Sequence, residues 1–241
     1  MNTQIYAHRG ASGYAPENTL EAFELAAKMG AQGVELDVHI TKDGHLVVAH
    51  DETIDRVSDG TGFIRDMTLE QLKHFTFNKT HPEYKDARIP TLKEVFDLLR
   101  PTGLFINIEM KNSVYDYPNL EQKTIDLARE ENMIQRVIFS SFNHYSLQRI
   151  KAIDPALPCG LLYEANLVRP WAYAVALGVE AIHPHFSEVV NVPDECALSH
   201  KAGIAVNTWT VNSEEDIRSV LRAGADIIIT NYPDRALNCL K

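Results

Sequence analysis

Gly33-Val34-Glu35-Leu36-Asp37-Val38-His39-Ile40 alternates apolar and polar side chains. Side chains of a strand point to opposite faces in turn, so Val34, Leu36, Val38 and Ile40 form one face and Glu35, Asp37 and His39 the other. Charged groups are costly to bury without a partner. Two carboxylates aimed at one place therefore require a cation.

Outward from this strand, the chain alternates β-rich and amphipathic runs. Strands are predicted at 5–8, 33–40, 104–110, 137–141, 159–163, 181–183, 204–209 and 226–230, and several are continuous apolar runs, as in parallel sheets covered on both faces. Helices are predicted between them, at 19–29, 120–131, 145–153, 170–177, 193–201 and 214–223. Asn18 with Glu21 three residues on reads as a capping box for the first helix. Gly30, Gly178, Gly203 and Gly224 stand where C-capping glycines belong. Eight β/α repeats predict an α/β fold of the closed TIM (β/α)8 barrel type. The rival doubly wound sheet usually carries Gly-x-Gly-x-x-Gly after its first strand. Here that strand runs into His8-Arg9-Gly10-Ala11-Ser12-Gly13. The apolar run Leu46-Val47-Val48-Ala49-His50 breaks the alternation. After it, residues 51–90 read as a small insertion after the second strand, with a short helix at 69–74, and 91–99 reads as a helix. One domain over 1–241 is expected.

Of the 241 residues 45% are hydrophobic, enough for a sizeable core, yet no apolar stretch is long enough to cross a bilayer. The opening Met1-Asn2-Thr3-Gln4 lacks the basic and apolar regions of a signal peptide. Cys159, Cys196 and Cys239 form no Cys-x-x-Cys pair, so neither a disulfide framework nor a zinc site is suggested. A cytoplasmic, reduced protein is expected. A formal net charge of -10 argues against nucleic acid and anionic membrane surfaces as partners.

Barrel active sites lie at the C-terminal strand ends. Those ends carry His8-Arg9, Glu35 and Asp37, Glu109-Met110-Lys111, Ser140-Ser141, Glu164, His183 and His185, Asn207 and Trp209, and Asn231; His50 closes the extra run. Glu109 and Lys111 share a face. Three carboxylates from two strands suit a hard cation such as Mg²⁺, Ca²⁺ or Mn²⁺ better than zinc. Spacing equally allows Glu35 and Asp37 merely to pair with Arg9 and Lys111. His8 and His50 are candidates for general acid and base, or simply hydrogen-bonded strand ends. Arg9 could fork onto a phosphate or pair with Glu17. Trp209 could wall a pocket or pack in the core, and His39, His183 and His185 are open in the same way. His45, His74, His81, His144 and His200 are expected to face solvent. Ser12 falls one residue short of a Gly-x-Ser-x-Gly elbow, and there is no Walker A loop.

The assembled motifs resemble the glycerophosphodiester phosphodiesterase family over nearly the whole chain. They run His8-Arg9-Gly10, Pro16-Glu17-Asn18-Thr19, Glu35-Leu36-Asp37-Val38, Thr41-Lys42-Asp43-Gly44, Val47-Val48-Ala49-His50-Asp51, Ile89-Pro90-Thr91-Leu92 and Asn107-Ile108-Glu109-Met110-Lys111. Ser140-Ser141-Phe142, Asn207-Thr208-Trp209-Thr210-Val211, Gly224-Ala225-Asp226 and Ile229-Thr230-Asn231 follow. Each motif alone is weak; their order and spacing are specific. The resemblance implies a TIM barrel with an insertion matching 51–90. It implies one divalent metal ion, Mg²⁺ or Ca²⁺, on acids matching Glu35, Asp37 and Glu109, and acid/base histidines matching His8 and His50. Arg9 and Lys111 match phosphate contacts, Glu17 a residue that orients Arg9 or lies close to the metal, and Phe142 and Trp209 the pocket around the glycerol or alcohol end.

The implied substrate is a small-molecule glycerophosphodiester, hydrolysed to glycerol 3-phosphate and an alcohol. The implied partners include no nucleic acid and no stable membrane insertion, and leave a homodimer open. Two other readings keep the same residues. A lysophospholipase D acting on lipid diesters would use an apolar rim from Phe63, Ile64, Phe75 and Phe77. A non-catalytic phosphodiester-binding protein would have no use for the pair of histidines.

Overall fold

The computed structural model describes residues 3–192 and 194–241. The first two residues of the opening segment, and Pro193, where the helix 193–201 is expected to begin, lie outside them. The chain runs β1 (Gln4–His8), α1 (Leu20–Met29), β2 (Gly33–Ile40), β3 (Leu46–Val48), α2 (Leu69–His74), α3 (Leu92–Leu99), β4 (Phe105–Met110), α4 (Leu120–Glu130), β5 (Val137–Ser141) and α5 (His144–Ile153). It continues β6 (Cys159–Tyr163), α6 (Pro170–Leu177), β7 (Ala181–Pro184), α7 (Phe186–Asn191), α8 (Glu195–Lys201), β8 (Ala205–Thr208), α9 (Glu214–Ala223), β9 (Ile227–Thr230) and α10 (Pro233–Cys239).

Strands β1, β2 and β4 to β9 pair in parallel in sequence order, and β1 pairs with both β2 and β9. This closes the expected eight-stranded barrel. The outward face of β2 and β4, including Val34, Leu36, Val38, Ile106 and Ile108, is buried in one cluster with Phe23 and Ala26 of α1 and Phe96 and Leu99 of α3. Each such aliphatic side chain removed from water contributes about 1.5–3 kcal/mol, so the apolar half of the alternation fixes which face of β2 turns inward. On the inner face, Tyr6, Ile227 and Ile229 pack together as a floor. The register sets His8 beside Glu35 and Asp37 beside Glu109 on neighbouring strands.

The extra apolar run is strand β3, which lies outside the barrel and pairs antiparallel with β2, Val38 opposite Val48. Gly44, at φ 87, makes the reversal in a conformation that other residues rarely adopt. The segment 51–90 then packs Ile54, Ile64, Leu72, Phe77 and Ile89 into a small separate core against Val47 of β3. Ile64 and Phe77 are therefore buried rather than part of an apolar rim; of the four rim candidates Phe63 is the exposed one, at 40%.

Other expectations change. Thr19, not Asn18, caps α1, its side chain accepting from the Ala22 N–H. Asn18 takes a left-handed backbone, and its amide goes instead to Asp37. Helices α7 and α10 are additional. His200 and His144 do not face solvent freely: His200 bonds Asp226 at 2.7 Å and His144 the Leu162 carbonyl at 2.9 Å. His183 points into the barrel interior, where it meets Asn207 at 2.8 Å. No helix of the described residues is long and apolar enough to cross a membrane.

A Cβ on Gly160 of β6 would overlap the buried His183 ring. Gly160→Ala is expected to destabilise the fold by about 1–3 kcal/mol through overpacking, read as a lower urea midpoint; an unchanged midpoint would show that the ring moves freely. Burial pulls His183 from 6.5 down to about 3. The unfolded chain takes up this proton below about pH 6.5 and the folded chain does not, so the stability contributed is complete above that pH and is lost as pH falls towards 3. The slope for one proton is about 1.4 kcal/mol per pH unit. Urea titrations between pH 6 and pH 4 should show a shallower decline in His183→Gln than in the parent chain.

Candidate active site

Glu35, Asp37 and Glu109 stand on adjacent strands at the mouth, at 4%, 0% and 9% exposure. One carboxylate oxygen from each lies within 4.8 Å of the others. The Arg9 backbone N–H donates to Glu35 Oε2 at 3.0 Å, and Asn18 Nδ2 donates to Asp37 Oδ2 at 2.8 Å. Arg9 and Asn18 both have positive φ, near 57. Such strain in non-glycine residues is a frequent mark of functional sites.

Two cations face this cluster. Lys111 Nζ is 2.9 Å from Glu109 Oε1 and 3.9 Å from Asp37 Oδ1; Arg9 Nε is 3.5 Å from Asp37 Oδ2. The simple ion-pair arrangement is thus present in part but incomplete. Asp37 Oδ1 is buried with no hydrogen-bond partner among the described residues. Burial, with Asp37 and Glu109 as like-charged neighbours, pushes Glu35 well above the usual carboxylate range. Burial also raises Glu109, although Lys111 opposes this. For Asp37 burial acts upward too, but His50, Arg9, Lys111 and the Asn18 amide outweigh it and hold the carboxyl low. Three converging acids, an orphaned oxygen and an all-oxygen donor set fit a hard divalent cation.

His50 reaches the mouth because β3 folds back on β2: the Ala49 N–H donates to the Asp37 carbonyl at 3.1 Å. His8 and His50 are held alike. His8 Nδ1 meets Asn231 Oδ1 at 2.6 Å, and His50 Nδ1 meets Asp51 Oδ1 at 2.7 Å. Both partners are acceptors, so each Nδ1 carries the hydrogen and each Nε2 keeps its lone pair. Burial and the Arg9 charge lower His8 to about 3. His8, Glu35, His50, Glu109, Phe142 and Trp209 line one cavity. Phe142 meets Trp209 edge to face at 5.5 Å, and the Trp209 Nε1–H is fixed on the His183 carbonyl at 2.8 Å.

Glu17 lies behind Arg9, accepting from its Nη1 at 2.8 Å. Ser141 and Asn207 are spent elsewhere, on the Met110 carbonyl and on His183. His185 packs against Trp209 at 5.4 Å, and Glu164 is exposed. Residue-level reading missed the parts played by Asn18, Asp51 and Asn107. Asn107 lines the cavity with a buried, unpartnered Oδ1. Its place two residues before Glu109, on the same strand face, was the available signal; for Asp51 it was adjacency to His50.

A model of the Glycerophosphoryl diester phosphodiesterase family matches residues 8–235. A glycerophosphodiester phosphodiesterase of Caldanaerobacter subterraneus is 43% identical over 242 residues, covering 100% of this chain and 99% of that one. Among solved structures, an Oleispira antarctica phosphodiesterase in complex with the product sn-glycerol-3-phosphate superposes with a TM-score of 0.86 at 32% identity, covering 98% of this chain and 96% of that one. A glycerophosphodiester phosphodiesterase of Agrobacterium tumefaciens gives 0.85 at 27%, covering 98% and 99%. With its barrel, its acidic cluster and its paired histidines, the chain belongs to the glycerophosphoryl diester phosphodiesterase family.

Proposed function

We propose that this chain, acting as one domain over 1–241 with 51–90 as an insertion, hydrolyses glycerophosphodiesters to glycerol 3-phosphate and an alcohol, using a divalent metal and two histidines. The observation that carries the reading is the pair of histidines with their Nε2 atoms unbonded among the described residues, on a cavity also lined by Glu35 and Glu109, two of the three converging buried carboxylates. Glu35, Asp37 and Glu109 would hold the ion, Mg²⁺ or Ca²⁺. When bound, it supplies Lewis-acid polarisation of the phosphate. Arg9 and Lys111 balance charge on the phosphate oxygens, where cations already positioned need no reorganisation as charge grows. One histidine Nε2 accepts the proton of the nucleophile as the nucleophile's oxygen bonds phosphorus and the P–O bond to the alcohol breaks; the other, once it carries a second proton on Nε2, delivers that proton to the leaving alkoxide. Phe142 and Trp209 shield one side of the cavity and pack the alcohol or glycerol carbons. The free thiols of Cys159, Cys196 and Cys239 accord with a reduced, cytoplasmic setting.

The test is release of glycerol 3-phosphate from a panel of glycerophosphodiesters, with chelator and with Mg²⁺ or Ca²⁺ restored. His8→Ala and His50→Ala should each lose about 100- to 10,000-fold in kcat while metal affinity measured by calorimetry stays. Near-normal turnover in both would remove the histidines from the mechanism. Glu35→Gln, Asp37→Asn and Glu109→Gln should instead weaken the calorimetric metal affinity. If affinity is unchanged in all three, the acids serve Arg9 and Lys111 alone.

A further inference from the structure

One side chain of the insertion touches both halves of the site. Arg56 directs four of its N–H groups at two carboxylates. Nη1 and Nη2 reach Glu17 Oε2 and Oε1 at 2.7 and 2.8 Å; Nε and Nη2 reach Asp51 Oδ2 and Oδ1 at 2.7 and 3.1 Å. Beyond Glu17 lies Arg9, at 2.8 Å, and beyond Asp51 lies His50 Nδ1, at 2.7 Å. An unbroken chain of short bonds therefore runs from Arg9 through Glu17, Arg56 and Asp51 to His50. The neighbours of Arg56 in sequence are anchored: Ile54 is fully buried in the insertion's core and Val57 packs against it.

We propose that Arg56 is a positioning residue for the reaction, setting Asp51 so that it fixes the His50 ring, and setting Glu17 so that it orients Arg9. This rests on the roles given to His50 and Arg9 above. An exposed ion pair contributes little to stability, typically 0–1 kcal/mol, and the Arg56 side chain is 45% exposed. The geometry here is different in kind. Two like-charged carboxylates are brought side by side and each receives two bonds from one planar fork, which lysine, as a point charge, cannot reproduce. Without the fork the two acids repel, Asp51 is free to rotate, and His50 loses the fixed acceptor that keeps its hydrogen on Nδ1. Stability gains little from such a bridge; what it supplies is aim.

The test uses the full chain loaded with Mg²⁺ and compares the parent with Arg56→Ala and Arg56→Lys. Loss of a partner one layer behind the reacting groups typically costs about 10- to 100-fold in activity, and that fall in kcat is expected for Arg56→Ala, with the thermal midpoint and calorimetric Mg²⁺ affinity unchanged. Free guanidinium at millimolar concentration should restore part of the loss in Arg56→Ala, and Arg56→Lys should stay impaired. The readout independent of turnover is the His50 Nδ1–H resonance in ¹⁵N-resolved NMR: protected in the parent, exchanging rapidly in Arg56→Ala. An unchanged kcat, an unchanged His50 resonance, or a fall in kcat that only tracks a fall in thermal midpoint would each overturn the proposal. Should the parent turn over no diester while the resonance still depends on Arg56, the catalytic reading fails and the clamp stands.

Discussion

Three carboxylates that repel one another are held out of water at the open end of the barrel, and the local structure follows from that repulsion. At about 4 Å, two unit charges in a partly solvated protein site repel by roughly 4 kcal/mol, and Glu35, Asp37 and Glu109 contribute oxygens within 4.8 Å of one another. No folding advantage arises there. The groups placed around them reduce the repulsion without removing it: the Arg9 backbone N–H, the Asn18 amide, and the cations of Arg9 and Lys111. Two of these residues adopt left-handed backbone to do so. What remains is an orphaned oxygen on Asp37 and a Glu35 pushed towards protonation. Repulsion left unrelieved in this way is what a divalent cation held by the three acids would remove.

Such a site can be afforded because stability is gathered elsewhere. The outer faces of the strands and the inner faces of the helices form one continuous apolar cluster, with the acids on the opposite face of the same strands. Alternation along β2 separates the two jobs residue by residue. The β2–β3 hairpin then solves a second problem. A parallel strand delivers its C-terminal residues to the mouth once; by turning back antiparallel, the chain delivers His50 to the same mouth from outside the barrel. The two histidines thus approach from different elements, one backed by an amide and the other by a carboxylate.

Periodicity was enough to read all eight barrel strands, because each has an outward apolar face that must be covered. It also put Glu35, Asp37, Glu109, His8 and Lys111 at one end, since strand ends and faces are local properties. Partnership was harder to read. Asn18 has the composition and place of a helix cap, and only the fold shows Thr19 taking that role while Asn18 turns to Asp37. His183 and Asn207 sit at strand ends like the site residues, yet they bond each other inside the barrel. Arg56 lies in an insertion with no periodic pattern, 39 residues from Glu17, and nothing local distinguishes it from a solvated arginine.

The substrate class places its own demand on these charges. A phosphodiester is an anion, and the chain carries a formal net charge of -10. Charges further away than about 8 Å are screened at physiological salt, so the distant acids matter less than the few groups at the mouth. There Arg9, Lys111 and Arg56 stand among Glu17, Glu35, Asp37, Asp51 and Glu109. Two acids, Glu17 and Asp51, share Arg56 on the outside of the mouth, which offsets one of their two charges. That leaves Arg9 and Lys111 against the three inner carboxylates. An anionic substrate would still meet net negative charge unless a divalent cation were held there first. Cation and phosphate should therefore strengthen each other's binding, a coupling that is reciprocal by thermodynamic necessity. The acids that would repel phosphate on their own are the ones that, by holding the cation, would let it bind.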